Sequence, residues 1–240
     1  MLSKSQIKLI NSLKHKKYRQ QHQLFVVEGI KTITELLQSN LELYALYTKE
    51  SFNIDAKNEV LISESDLKRI SFLATPNMAM AVFKIPQSKT LKKNGLIVAL
   101  DAVRDPGNLG TIIRLCDWFG IKDLVCSKET VDCYNPKVIQ ATMGSITRVN
   151  ISYIDLVSFL SNYDGPVFGT YMEGNNIYKR SLPQTSVIVM GNEANGISKE
   201  TETMITDKIS IPRFGDLQVT ESLNVATATS IILSEFKRGS

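Results

Sequence analysis

The sequence predicts an α/β protein: a mostly parallel sheet in the C-terminal part of the chain, preceded by a smaller α/β domain. Three observations predict it. Continuous apolar runs such as Leu96-Ile97-Val98-Ala99-Leu100 and Val187-Ile188-Val189-Met190 read as parallel strands covered on both faces. Segments of helical periodicity stand between these runs, so strand and helix alternate. A polar stretch carrying Pro and Gly, Ile85 to Gly95, divides the chain into two such regions. The expected division is 1–85 for the first domain, 86–95 for a linker and 96–240 for the second.

In the first region, Ile7, Leu9, Ile10 and Leu13 give Ser3 to Leu13 a helical pattern. Leu24-Phe25-Val26-Val27 reads as a buried strand. Ile30, Ile33, Leu36 and Leu37 share one face of a helix. Leu43 to Tyr47 and Val60-Leu61-Ile62 read as strands, and Ser63-Glu64-Ser65-Asp66 opens a short helix with capping residues in reach. In the second region, Leu96–Leu100 is followed by a helix from about Leu109 to Phe119. Asp123–Cys126 is the next strand, Pro136 to Met143 a helix, Val149–Ile151 a short strand and Asp155 to Leu160 a helix. Val167–Thr170, Val187–Met190 and Ile209–Ile211 are the remaining strands. A helix from about Ser222 to Phe236 closes the region.

Composition sets mild bounds. At 240 residues, 43% hydrophobic and 22% charged, the chain has the make-up of a globular protein with room for one large or two small domains. No apolar run approaches the roughly 18 residues of a membrane span. No apolar stretch follows the early lysines, so no secretory signal is expected and a cytoplasmic location is. Cys116, Cys126 and Cys133 are odd in number and lack metal-ligand spacing, so reduced thiols are expected and a metal is not.

The net charge is +4, and its distribution is uneven. Lys4, Lys8, Lys14, Lys16, Lys17 and Arg19 face one acid, Glu28, in the first thirty residues. A second basic run comprises Lys84, Lys89, Lys92 and Lys93. Such clusters neutralise phosphates and release counterions; the alternative is a solvated helix face. Lys14, Lys16, Lys17 and Arg19 are the candidate nucleic-acid contacts.

Three polar clusters end apolar strands, where an open α/β sheet binds its ligands. They are Asp105-Pro106-Gly107-Asn108-Leu109-Gly110 with Arg114 following; Gly191-Asn192-Glu193-Ala194-Asn195-Gly196; and Ile211-Pro212 followed by Ser222-Leu223-Asn224-Val225. Gly107 and Gly110 suit a tight turn into a helix whose first N–H groups are unpaired. No G-x-G-x-x-G follows Leu96–Leu100, which counts against a nicotinamide dinucleotide. Arg114 stands among Ile112, Ile113 and Leu115, and a guanidinium there calls for an anionic partner. Glu193 is the candidate; Asp117, or solvent, is the alternative. Ser222 and Asn224 fit either a helix cap or a site contact. The stripe Ala226-Thr227-Ala228-Thr229-Ser230 permits close packing, within the domain or against another subunit.

The order Asn108-x-Gly110-x-x-x-Arg114, then Gly191-x-Glu193-x-x-Gly196, then Ile211-Pro212 and Ser222-Leu223-Asn224-Val225 resembles the SpoU (TrmH) family of RNA ribose 2′-O-methyltransferases, over about residues 97 to 236. The first 85 residues resemble, more loosely, the small substrate-binding domain often joined to it, through the basic helix and Phe25-Val26-Val27-Glu28-Gly29. The resemblance implies a SPOUT-like fold with a C-terminal trefoil knot, formed here by about residues 186–236. It implies S-adenosylmethionine as cofactor, contacted by Gly191, Ile211 and Leu223, with Thr170 lining the same pocket. It casts Arg114 as the residue that activates the ribose hydroxyl or binds the adjacent phosphate. Asn108, Glu193, Ser222 and Asn224 would position Arg114 and the ribose. It also implies a homodimer with the site at the interface, and RNA as substrate, ribosomal before transfer RNA. One departure stands out: Gly215 to Ser222 is a few residues longer than the family's third motif, and Arg213 stands where Met is common. A noncatalytic RNA-binding or ribosome-assembly protein on the same fold is therefore the second expectation.

Overall fold

The computed structural model describes residues 2–55, 57–87, 89–92, 94–217 and 222–238. The chain forms two compact units, residues 1–87 together with 132–147, and residues 88–131 together with 148–240. The first unit thus takes in a segment that the sequence division assigned to 96–240.

The first unit holds α1 (Lys4–Ser12), α2 (Lys16–His22), β1 (Leu24–Glu28), α3 (Ile30–Leu37), β2 (Leu43–Thr48), β3 (Glu59–Leu61), α4 (Glu64–Ile70) and β4 (Ala79–Lys84). Its sheet has the order β1-β4-β2-β3, with β4 antiparallel to both neighbours and β2 parallel to β3. Ser3 caps α1 in a reciprocal box with Gln6, and Ser63 caps α4. Apolar residues of both helices close one core: Ile10, Leu13, Leu67 and Ile70 pack with Leu24, Val26, Met80 and Val82. Two elements, α2 and β4, have no counterpart in the sequence reading. Strand β4 opens on Ala79-Met80-Ala81, which carries little strand character, and α2 is polar on nearly every face.

Strand β1 is an edge strand, yet all five of its residues are buried. The returning segment explains this, because its helix (Pro136–Thr142) packs on β1. Tyr134 brings its ring to 4.8 Å from Phe25. Arg19 sits in the same region and is 2% exposed. Its Nε donates to Asp132 Oδ2 at 2.9 Å, and its Nη1 donates to the carbonyls of Leu13 and Lys14. The expectation that Arg19 contacts RNA is corrected: it is buried, and its donors are committed to the partly buried Asp132 carboxylate and to the α1–α2 turn.

The second unit holds β5 (Leu96–Leu100), α5 (Pro106–Trp118), β6 (Asp123–Cys126), β7 (Asn150–Tyr153), α7 (Leu156–Ser161), β8 (Val167–Asn176), β9 (Ser186–Met190), α8 (Lys199–Glu202), β10 (Asp207–Ser210) and α9 (Val225–Lys237); α6 is the Pro136–Thr142 helix of the first unit. The six strands lie in the order β10-β8-β9-β5-β6-β7 and every pair is parallel. Ile97, Ala99, Val187 and Val189 pack on Phe159, Leu160 and Val167 in the core. Strand β5 is central: the chain builds β6 and β7 on one side and fills the other side later. Leu100 is in register with Met190, so β5 and β9 deliver Asp101 and Gly191 side by side at one sheet edge.

Candidate active site

The first cluster begins α5. Asp105 caps it, accepting from Asn108 N at 2.8 Å, and Pro106 occupies the first turn, where no backbone donor is needed. This holds the Asn108 side chain at the helix start.

The second cluster is a small closed turn after β9. Asn192 and Gly196 exchange two backbone hydrogen bonds of 2.9 Å, and Asn192 Oδ1 accepts from Ala194 N and Asn195 N. Gly191 has a steric reason to be glycine. A Cβ there would lie 2.4 Å from Gly196 C and 2.5 Å from Ile197 N, both backbone atoms. Asn192 Nδ2 also donates to the carbonyl of Ala102 at 2.6 Å, and Asp101 accepts from Ser198 N and Oγ. These bonds tie the turn after β9 to the loop after β5. Asn192 and Asp101 had no assigned role in the sequence reading; the signal for Asp101 was a carboxylate directly after a fully apolar strand.

The third cluster begins α9. Asn224 is its cap, accepting through Oδ1 from Ala226 N and Thr227 N. Ser222 is exposed two residues earlier and has no side-chain partner among the described residues. The helix thus starts at Val225, three residues later than the sequence suggests. Of the small-residue stripe, Ala226 and Thr229 are buried, and α9 packs on α5 within the unit, while Thr227 is exposed. In the longer loop, residues 218–221 lie outside the described residues, as do Ser88 and Lys93 of the linker and second basic run; Lys84 of that run pairs with Glu42.

The three clusters meet at Asn108. Its Nδ2 donates to Glu193 Oε1 at 2.9 Å, and its Oδ1 accepts from Asn224 Nδ2 at 2.9 Å. One side chain therefore joins turns that lie 85 and 116 residues away in sequence. Glu193 is bound to Asn108, not to Arg114, which corrects the expected Arg114–Glu193 pairing. The alternative partner, Asp117, accepts from Arg148 Nε at 2.8 Å. Arg114 is exposed, with no side-chain partner among the described residues. Six residues of helix place it about 120° around α5 from Asn108, so the two side chains leave the helix in different directions. Its cationic head is available to an outside anion.

Gly191 and Ile211 directly follow β9 and β10, and Thr170 lies within the neighbouring β8, just after Gly169, the last β8 residue in register with β9. Thr170 Oγ1 donates to the Val189 carbonyl at 3.0 Å, so the hydroxyl is used within the sheet. Ile211 and Pro212 are half-buried, and Leu223 is 47% exposed. Apolar side chains beside backbone groups at strand ends suit a flat heteroaromatic ring with polar edges. Among the described residues no group of His, Cys, Asp or Glu could hold a metal ion, and no helix is long and apolar enough to cross a membrane. The three cysteines are buried and form no disulfide; burial pushes the Cys116 thiol far up.

Comparison with known proteins gives the same answer along the whole chain. The profile of the SpoU rRNA Methylase family matches residues 95–234, and that of the MRM3-like substrate binding domain matches residues 4–81. The chain is 28% identical over 230 residues to the 23S rRNA (guanosine(2553)-2′-O)-methyltransferase RlmP of Bacillus subtilis, covering 91% of this chain and 90% of that one. Among solved structures, a TrmH-family protein from Porphyromonas gingivalis superposes with a TM-score of 0.89 at 39% identity, covering all of both chains. The AdoMet-bound rRNA methyltransferase of Sinorhizobium meliloti superposes with a TM-score of 0.88 at 28% identity, over 100% of this chain and 97% of that one. The chain belongs to the SpoU rRNA methylase family.

Proposed function

We propose that this protein is an S-adenosylmethionine-dependent enzyme that methylates a ribose 2′-hydroxyl in ribosomal RNA. The observation that carries the reading is the Glu193–Asn108–Asn224 chain, which gathers the three family motifs at one edge of the sheet. Relatives at 28% identity support it, one named for 23S rRNA 2′-O-methylation and one with AdoMet bound.

Gly191, Ile211, Leu223 and the backbone at Thr170 would hold the cofactor, which supplies a methyl group on a sulfonium ion when bound. The residues of the chain orient the acceptor. A ribose hydroxyl is a weak nucleophile until its proton leaves, so positioning and proton removal dominate. A guanidinium is a very weak base; Arg114 therefore acts by binding the phosphate or the developing oxyanion next to the hydroxyl. Asn108, Glu193 and Asn224 hold the loops that face the ribose, with Ser222 beside them. The 2′-hydroxyl itself makes RNA, not DNA, the substrate.

The exposed side of α5 carries Thr111, Arg114 and Trp118, the last 84% exposed. An indole so exposed beside the reactive cation fits burial against a second copy, so the working form is a homodimer whose interface completes the site. The trefoil knot that the family resemblance implies would be formed by β9, β10 and α9. Lys14, Lys16 and Lys17 of the first unit bind RNA phosphates. Buried cysteines outside any disulfide suit a reducing compartment, and the protein works in the cytoplasm.

Calorimetry with S-adenosylmethionine tests the reading: saturable binding is expected. No binding at millimolar cofactor would favour a noncatalytic RNA-binding protein on the same fold.

A further inference from the structure

We propose that Tyr18, bordered by His15 and His22, is a stacking platform for an unpaired base of the RNA substrate; this rests on the RNA reading above. The three residues fall at i, i+3 and i+7 at and along α2, hence on one face. Tyr18 and His22 are nearly parallel, 19° apart with centroids at 6.5 Å. His15 meets the tyrosine edge-on, at 6.4 Å and 68°. Lys17 holds its ammonium 5.9 Å from the Tyr18 ring centre. The chain has two histidines in all, and both flank this tyrosine. Tyr18 is 37% exposed, and among the described residues its hydroxyl has no hydrogen-bond partner. The ring is thus neither core nor a polar anchor.

Charge selects the occupant. From Lys4 to Val27 there is no carboxylate side chain, while five lysines lie in that span. The first acid, Glu28, is buried and accepts from Ser71 Oγ and Phe72 N. Aromatic faces set among cations without anions bind single-stranded nucleic acid: rings stack on bases and lysines follow the phosphates. A duplex keeps its bases stacked inside and offers the rings nothing. Arg19, the next residue, holds the platform still. Its guanidinium clamps the carbonyls of Leu13 and Lys14 and the Asp132 carboxylate beneath the turn that presents His15. The platform is therefore set before RNA arrives, which limits the ordering cost of binding.

The test is equilibrium binding of the full chain, without cofactor, to an oligoadenylate of about ten nucleotides and to an RNA duplex of the same length. Tyr18→Leu is expected to weaken single-strand binding by about 5- to 100-fold and to leave duplex binding unchanged, while Tyr18→Trp retains both. Lys17→Gln is expected to weaken both ligands and reduce the salt dependence by about one charge. The proposal is overturned if Tyr18→Leu binds the single strand like the native protein, if it loses both ligands alike, or if the native protein does not bind the single strand. A protein that binds through Tyr18 yet transfers no methyl group contradicts the enzymatic reading alone.

Discussion

Asn224 donates its side-chain amide to the Asn108 amide oxygen at 2.9 Å, joining the cap of the last helix to the first turn of α5. Both residues also organise a helix start: Asn224 through its own Oδ1, Asn108 through the backbone N–H that Asp105 accepts. Because Asn108 also donates to Glu193, a change at this one side chain disturbs all three loops.

Asn108→Ala removes both bonds. These groups are exposed, so water replaces them and stability falls by about 1 kcal/mol or less. Activity is expected to fall much further, because the loops lose their common anchor. Steady-state kinetics beside thermal unfolding checks this; an active variant with unchanged kcat would place the anchor elsewhere.

Arg114→Ala leaves the fold intact, since Arg114 is exposed and unpaired among the described residues. Methyl transfer is expected to drop by at least about 100-fold, as for loss of one preorganised charge at a reacting oxygen. Retained activity would remove Arg114 from the mechanism. Trp118→Glu, on the same helix face, is expected to yield monomers in sedimentation and to abolish transfer.

Arg19→Met leaves the Asp132 carboxylate, 14% exposed, without its partner. A loss of about 1.5–3 kcal/mol is expected, as for a charge-assisted hydrogen bond, read as a fall in the denaturant midpoint, and Asp132→Asn should behave similarly. Unchanged stability would mean that Asp132 reaches water once the pair is gone.

Glu28 gives the stability a pH dependence. Burial raises its carboxyl above the ordinary 4.5, against the opposing hydrogen bonds from Ser71 and Phe72. The folded state then holds the proton more tightly than the unfolded one. This contribution is fully present below the unfolded value and is lost as pH rises through the raised folded value. Between pH 4.5 and neutrality the native protein should lose more stability than Glu28→Gln. Parallel unfolding curves at the two pH values for both proteins would refute this.

Local pattern carried much of the fold. The apolar runs at 96–100 and 186–190 are strands because parallel strands buried on both faces need no alternation. Asn108, Glu193 and Asn224 are grouped in the sequence only by the family resemblance; residue type alone leaves Asn224 open between a cap and a site contact. What pattern could not show was partnership. Arg19 resembles its basic neighbours in sequence, and only the return of Asp132 to β1 makes it a buried ion-pair residue. Likewise Glu193 was matched to a cation by charge, whereas the structure places a neutral amide within reach. Strand β4 escaped notice because Ala79-Met80-Ala81 has little strand character of its own; its neighbours β1 and β2 create its place.

The most direct test is to incubate the purified protein with ribosomal RNA from cells lacking it and with methyl-labelled S-adenosylmethionine, then digest the RNA with alkali. The account predicts label in an alkali-resistant dinucleotide, the mark of a methylated ribose 2′-oxygen, and none with Arg114→Ala. Label on a base, or no transfer by a protein that binds the cofactor, would contradict it.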